Sequence, residues 1–164
     1  MSPEARTKLV RLLLISGGVA VADQVVKLLV NAGVEMGRRI PVVAGFFDLT
    51  HWHNQGGAFG LLASQGPAVR GFFFFFLSFL AVVLLAYLYR KTPAASRWFS
   101  VALCLTLGGA VGNLIDRVRL GYVDDFLLFY VNGYYWPAFN VADAAVTVGA
   151  FMLVAAFVTR RDPL

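Results

Sequence analysis

Four apolar runs, at about residues 9–30, 69–89, 98–115 and 139–158, decide what this chain is able to fold into. Each is close to the ~20 residues that a helix needs to cross the hydrocarbon core of a bilayer. Backbone amides find no water there, so a spanning run has to satisfy its own hydrogen bonds as a helix. With 59% hydrophobic and only 14% charged residues among 164, the chain reads as a single α-helical integral membrane domain with four transmembrane helices. The connecting segments 31–68 and 118–138 then emerge on the same side.

The net charge of +5 would suit a nucleic acid, but its placement argues for orientation instead. Arg6, Lys8 and Arg11 flank the start of the first run, Arg90, Lys91 and Arg97 fill the second connection, and Arg160 and Arg161 follow the last run. These places share one side of a four-span chain. The positive-inside rule puts both termini and that connection in the cytoplasm, and the segments 31–68 and 118–138 outside. No nucleic-acid partner is expected. Ala20-Val21-Ala22 resembles a signal-peptide cleavage site, but the apolar run continues to Val30, so the segment is expected to remain as a span. Cys104 lies among leucines in mid-span and reads as a packing residue.

The first outer loop has strand-like content at Arg39–Val43 and Phe47–His53 around an Ala44-Gly45 turn. Phe47, Leu49, His51 and His53 alternate there with Asp48, Thr50, Trp52 and Asn54. In the second, Asn132-Gly133 between apolar runs signals a hairpin. Tyr130, Tyr134, Tyr135 and Trp136 suit the membrane interface. A small extracytoplasmic β-element on the membrane surface is therefore expected. The Gly56, Gly57 and Gly60 stretch leads us to expect that the first outer loop moves.

Asp125 follows the third run and Asp143 begins the fourth. Consecutive spans are antiparallel, so these two acids belong to the same outer face. A carboxylate at membrane depth costs ~2.5–3.5 kcal/mol on insertion scales, which makes it a functional candidate. Two that converge would share a proton and supply a general base and a general acid. Asn54, Asn113, Asn140 and Arg117 are polar residues at the same level. Asp23 and Lys27, one helical turn apart, read as a paired anchor beneath the site. Spacing alone also allows a structural reading, in which Asp143 favours its helix dipole and Asp125 pairs with Arg117 or Arg119. Metal hydrolysis needs about three protein ligands. His51 and His53 are placed on one strand face with Asp48 on the other, so neither metal nor cofactor is expected. A small proton-coupled transporter subunit is the alternative function, since intramembrane acids also serve as proton relays.

These residues fall into ordered motifs: Asp23-Gln24-x-x-Lys27, then Asn54-x-Gly56-Gly57-Ala58-Phe59, then Gly112-Asn113-Leu114-x-Asp116-Arg117 continuing to Asp125-Phe126, and Trp136-Pro137-x-Phe139-Asn140-x-Ala142-Asp143. Over nearly its whole length the chain resembles the bacterial lipoprotein signal peptidase (signal peptidase II) family. The resemblance implies an aspartyl endopeptidase of the bacterial cytoplasmic (inner) membrane, monomeric, with its active site at the outer face. Asp125 and Asp143 would be catalytic. Asn54, Gly56, Asn113, Arg117, Asn140, Asp23 and Lys27 would bind substrate or support the site. The substrate would be a prolipoprotein with a diacylglyceryl-modified cysteine, cut N-terminal to that cysteine, with membrane lipid as the other partner. Gly57 departs from the family, which more often has alanine there. The motif register, and not composition, selects Asp125 over its neighbour Asp124.

Overall fold

Helices occupy all four apolar runs and extend past them into polar flanks. The computed structural model describes residues 1–56 and 64–159. Gly57, Phe59 and Gly60 of the expected mobile stretch, and Arg160 and Arg161 of the last basic cluster, lie outside the described residues. The first span is continuous from Pro3 to Gly33. It consists of α1 (Pro3–Leu12), a π-helical turn (Leu13–Gly17) and α2 (Gly18–Gly33). Ser2 caps it by accepting from the Ala5 N–H, with Pro3 at the first helical position. The other spans are α3 (Pro67–Lys91), α4 (Arg97–Arg119) and α5 (Val141–Thr159).

The central helix is α4, against which every other helix packs. Small residues make this possible, as expected where lipid supplies no hydrophobic drive and helices associate by close contact. A Cβ at Gly109 would run into the Ala142 carbonyl oxygen, and one at Gly149 into the Thr106 hydroxyl. Along its length α3 packs mainly on α4, meeting the first span only near Tyr89 and Arg90. Its one fully buried residue is Tyr89, so most of its surface is left for lipid. Lys8 donates to the carbonyls of Arg90 and Thr92, both at 2.8 Å, and the Tyr89 hydroxyl donates to the Lys8 carbonyl. The chain's start and the α3–α4 connection therefore share one end of the bundle.

At the opposite end, β1 (Arg39–Val43), β2 (Phe47–Asn54), β3 (Val123–Val131) and β4 (Tyr134–Tyr135) form a four-stranded antiparallel sheet in that order. Asn132 and Gly133 both adopt positive φ (49° and 84°), the geometry of a tight hairpin turn. Phe126, 1% exposed, packs with Val30 and Val34 and ties the sheet to the end of α2.

The simple alternation expected for β2 is broken. Leu49 pairs with Leu127, but Trp52 pairs with Asp125, so β2 holds one more residue than β3 between these points. Such a bulge shifts the faces. Thr50 and His51 are consecutively buried, and His51 and His53 leave the face that carries Phe47 and Leu49. Directly opposed residues share a face, so Trp52 lies with Asp125, and His53 with Asp124 on the other side.

Gly109→Ala is expected to lower the thermal unfolding midpoint in detergent, since overpacking costs ~1–3 kcal/mol. Gly18→Ala, where a Cβ meets nothing within 4 Å, is expected to be neutral or slightly stabilising; equal midpoints for both variants would contradict close α4–α5 packing.

Candidate active site

The site begins with the first turn of α5. The Asn140 side chain accepts from the Asp143 N–H at 2.8 Å, and the Asp143 carboxylate accepts from the Asn140 N–H at 3.3 Å. This reciprocal capping satisfies two amides at the helix start. A third, Ala142 N–H, donates to Asp23 Oδ1 across the bundle at 2.9 Å. Asp23 thus closes the end of α5 from the first span.

Asp23 is held by Lys27, one turn later on α2, at 2.7 Å. Lys27 also pairs with Asp116 of α4 at 2.6 Å and donates to Asn113 Oδ1 at 3.1 Å. All three charged groups are buried. Gln24 donates to Asp116 Oδ1 at 2.7 Å and to the Gly112 carbonyl at 3.2 Å. Gly112 has no room for a Cβ, which would lie 2.8 Å from Asp23 Oδ2.

Above this floor, Asn113 donates to Asp143 Oδ1 at 2.7 Å. Asn140 Nδ2 donates to Asn113 Oδ1 at 3.2 Å and to Asp125 Oδ1 at 2.7 Å. The other Asp125 oxygen accepts from Asn54 Nδ2 at 2.8 Å. The Asn54 Oδ1 in turn accepts from the Gly56 N–H. Gly56 has φ +84°, and a Cβ there would strike the Phe74 ring, so only glycine suits this turn. Burial, followed by the charge of Asp143, pushes the Asp125 carboxyl up to about 7, against the opposing pull of the Asn54 and Asn140 amides. Asp125 opens onto a cleft of about 740 Å³ that is also lined by Trp52, Asn54, Gly56, Arg70 and Trp136.

Asp125, Asp143, Asn54, Asn113 and Asn140 thus form one hydrogen-bonded network, with Asp23 and Lys27 beneath it. Arg117 donates to the Asn113 carbonyl of its own helix at 3.2 Å, and its charge lies near Asp143, Asp116 and Asp125. Among the described residues neither Arg117 nor Arg119 pairs with Asp125; Arg119 reaches Gln24 instead. The helix-start role for Asp143 does hold, alongside its place beside Asp125. Sequence reasoning missed the supporting roles of Gln24 and Asp116 and the cleft residues Trp52, Arg70 and Trp136. The presence of Gln24 within the Asp23–Lys27 turn was the one available signal for it.

The family model described as signal peptidase (SPase) II matches residues 15–159. A lipoprotein signal peptidase of Desulforapulum autotrophicum is 48% identical over 155 residues, 94% of this chain and 96% of that protein. Another, of Syntrophus aciditrophicus, is 37% identical, covering 93% and 95%. A bacterial membrane enzyme solved by the in meso method at 2.3 Å superposes with a TM-score of 0.79 at 32% identity, covering 90% of this chain and 87% of that one. A second, solved at 1.9 Å, gives 0.78 at 33% identity, covering 89% and 91%.

Lys27→Met leaves Asp23 and Asp116 as buried carboxylates without their cation, a loss of ~3–5 kcal/mol for a broken buried pair. We expect a clearly lower unfolding midpoint and poor folded yield in detergent. A midpoint equal to wild type would mean that the two acids do not depend on the ammonium.

Proposed function

The chain belongs to the signal peptidase II family, and from that premise we propose that Asp125 and Asp143 are its catalytic pair. The protein is a membrane aspartic peptidase that removes signal peptides from prolipoproteins. The relatives reported above favour this over the transporter alternative. One observation carries the assignment: Asn140 bonds Asp125 through its side chain and Asp143 through its backbone N–H, so one residue holds both acids.

Two carboxylates so placed share one proton and titrate as a unit. The ionised member takes a proton from water as the water oxygen attacks the scissile carbonyl carbon. The protonated member gives its proton to the carbonyl oxygen. As the tetrahedral intermediate collapses, the carboxyl that took the water's proton gives it to the leaving nitrogen, the other takes back a proton from the intermediate's hydroxyl, and the C–N bond breaks to release an amine. Asn54, Asn113 and Asn140 hold the acids, Gly56 shapes the turn beside them, and Arg117 fixes the Asn113 turn. Lys27 and Asp23 support the floor.

The substrate is a signal-peptide helix whose diacylglyceryl-modified cysteine follows the scissile bond. It approaches from the bilayer beside α3, which packs mainly on α4 and leaves most of its surface uncovered, and its lipid stays among membrane lipids. One chain holds the whole network, so a monomer suffices, and we place it in the bacterial inner membrane. Its termini are cytoplasmic and its site faces outward, a reading supported by the shared end of Lys8 and Arg90. Single cysteines introduced at 93–96 should resist an impermeant thiol reagent added outside intact cells; labelling there would reverse the topology.

Asp125→Asn and Asp143→Asn should each reduce cleavage of a lipidated precursor by on the order of 10³-fold or more. The double variant should be little worse, because the pair acts as a unit. Wild-type turnover in either folded variant would sink the assignment. With Asp125 near 7, cleavage should fall as pH rises through about 7 and the shared proton is lost. Asn54→Leu removes an amide that favours the ionised form, so the residual activity should persist to higher pH.

A further inference from the structure

On the face of β3 opposite Asp125, a second polar cluster stands apart from the dyad. One ligand atom each of His51, His53 and Asp124 lies within 4.8 Å of the others. Asp124 Oδ1 is 3.6 Å from His51 Nε2 and 3.4 Å from His53 Nε2. His51 Nδ1 lies 2.8 Å from the Val34 carbonyl. A carbonyl only accepts, so Nδ1 carries a ring proton, and in the neutral imidazole the Nε2 lone pair faces the carboxylate. Two acceptors therefore confront each other. Among the described residues neither His51 Nε2 nor Asp124 Oδ1 has a hydrogen-bond partner, although His51 is 6% and Asp124 1% exposed. Such buried groups go unpaired only at a cost unless a cation lies between them.

We propose that His51, His53 and Asp124 bind a divalent transition-metal ion, of which Zn²⁺ is the reference case. Two imidazoles and a carboxylate are a common zinc donor set, and bonds of ~2.0–2.2 Å in a tetrahedron set donors ~3.3 Å apart. The observed 3.4 and 3.6 Å separations from Asp124 Oδ1 match that spacing. The supporting shell is also built. The Val34 carbonyl fixes the His51 tautomer, and Asn31 Nδ2 donates to Asp124 Oδ2 at 2.7 Å. Tyr122 stacks on His53 with ring centroids 3.8 Å apart. His53 is partly exposed, which leaves a solvent-side position for water as fourth ligand. The bound ion links β2 to β3 and, through Asn31, both strands to α2. It takes no part in the dyad chemistry, because Asp125 points to the other face.

The test uses tag-free, full-length protein in detergent, titrated with Zn²⁺ and, for a visible d–d spectrum, with Co²⁺. We expect one ion per chain and a Zn²⁺-dependent rise in the unfolding midpoint. Asn31→Leu should weaken binding ~10–100-fold, as loss of a supporting residue does, and His53→Gln and Asp124→Asn should weaken it further. Circular dichroism and a monodisperse elution profile establish that each variant is folded; His53→Gln, at a partly exposed position, keeps the test valid if Asp124→Asn does not fold. The proposal is overturned if wild-type protein binds no ion, which would leave a proton as the cluster's cation. It is equally overturned if binding survives both His53→Gln and Asp124→Asn.

Discussion

The buried ammonium of Lys27 is the interaction on which the rest of the outer end depends. It sits between Asp23 of its own span and Asp116 of α4, and it also reaches Asn113. One cation against two carboxylates leaves a net negative charge in a place that solvates it poorly. The remainder is met by dipoles: Ala142 N–H, at the positive end of α5, faces Asp23, and the Gln24 amide faces Asp116. Removing a partner from such a group leaves an uncompensated buried charge, so the set stands or falls together. Its members come from the first, third and fourth spans, which fixes the relative height of those spans where the dyad lies.

Above that floor, one asparagine serves both the helix start and the proposed catalytic pair. Asn140 starts α5 by capping, and the same residue orients Asp125. Asp143 sits within the first turn, where its backbone is already fixed by the cap it helps to form. Asp125 comes from a strand whose neighbour supplies Asn54. The acids therefore ride on regular elements and each is held by amides, so little reorganisation is needed when charge moves during reaction. Amides suit this role because they donate without adding charge. A lysine or arginine in the same place would hold Asp125 ionised and remove the proton that the proposed pair would share.

Much of this was legible in the residues. Run length marked the spans, though polar turns such as Arg117–Arg119 extend the helices beyond the apolar limits. Asn132-Gly133 marked the hairpin because its positive φ values suit few other residues. Asp23 and Lys27 could be paired from helical spacing alone. Contacts between distant elements were not legible: Asp116 with Lys27, and Gln24 with the Gly112 carbonyl, depend on how α2 and α4 cross. The β2 bulge was equally hidden, since one extra residue changes which side chains share a face without altering the local pattern. That error separated the histidines from an acid that no local spacing would join to them.

The Asp124-Asp125 doublet makes physical sense only through the strand. Adjacent carboxylates would repel in a helix turn or on a common face, but successive strand residues point to opposite sides. Asp125 faces Asn54 and Asn140, and in the proposed pair it would share a proton with Asp143. Asp124 faces Asn31 and two imidazoles, where a single amide hydrogen bond reaches Oδ2 and Oδ1 has no hydrogen-bond partner among the described residues. The two acids of one dipeptide thus have different needs, a mobile proton on one face and a fixed cation on the other. A strand with its second face anchored to α2 has less freedom to shift Asp125 relative to Asp143. The dyad's geometry therefore depends on what holds Asp124 as well as on the network around Asn140.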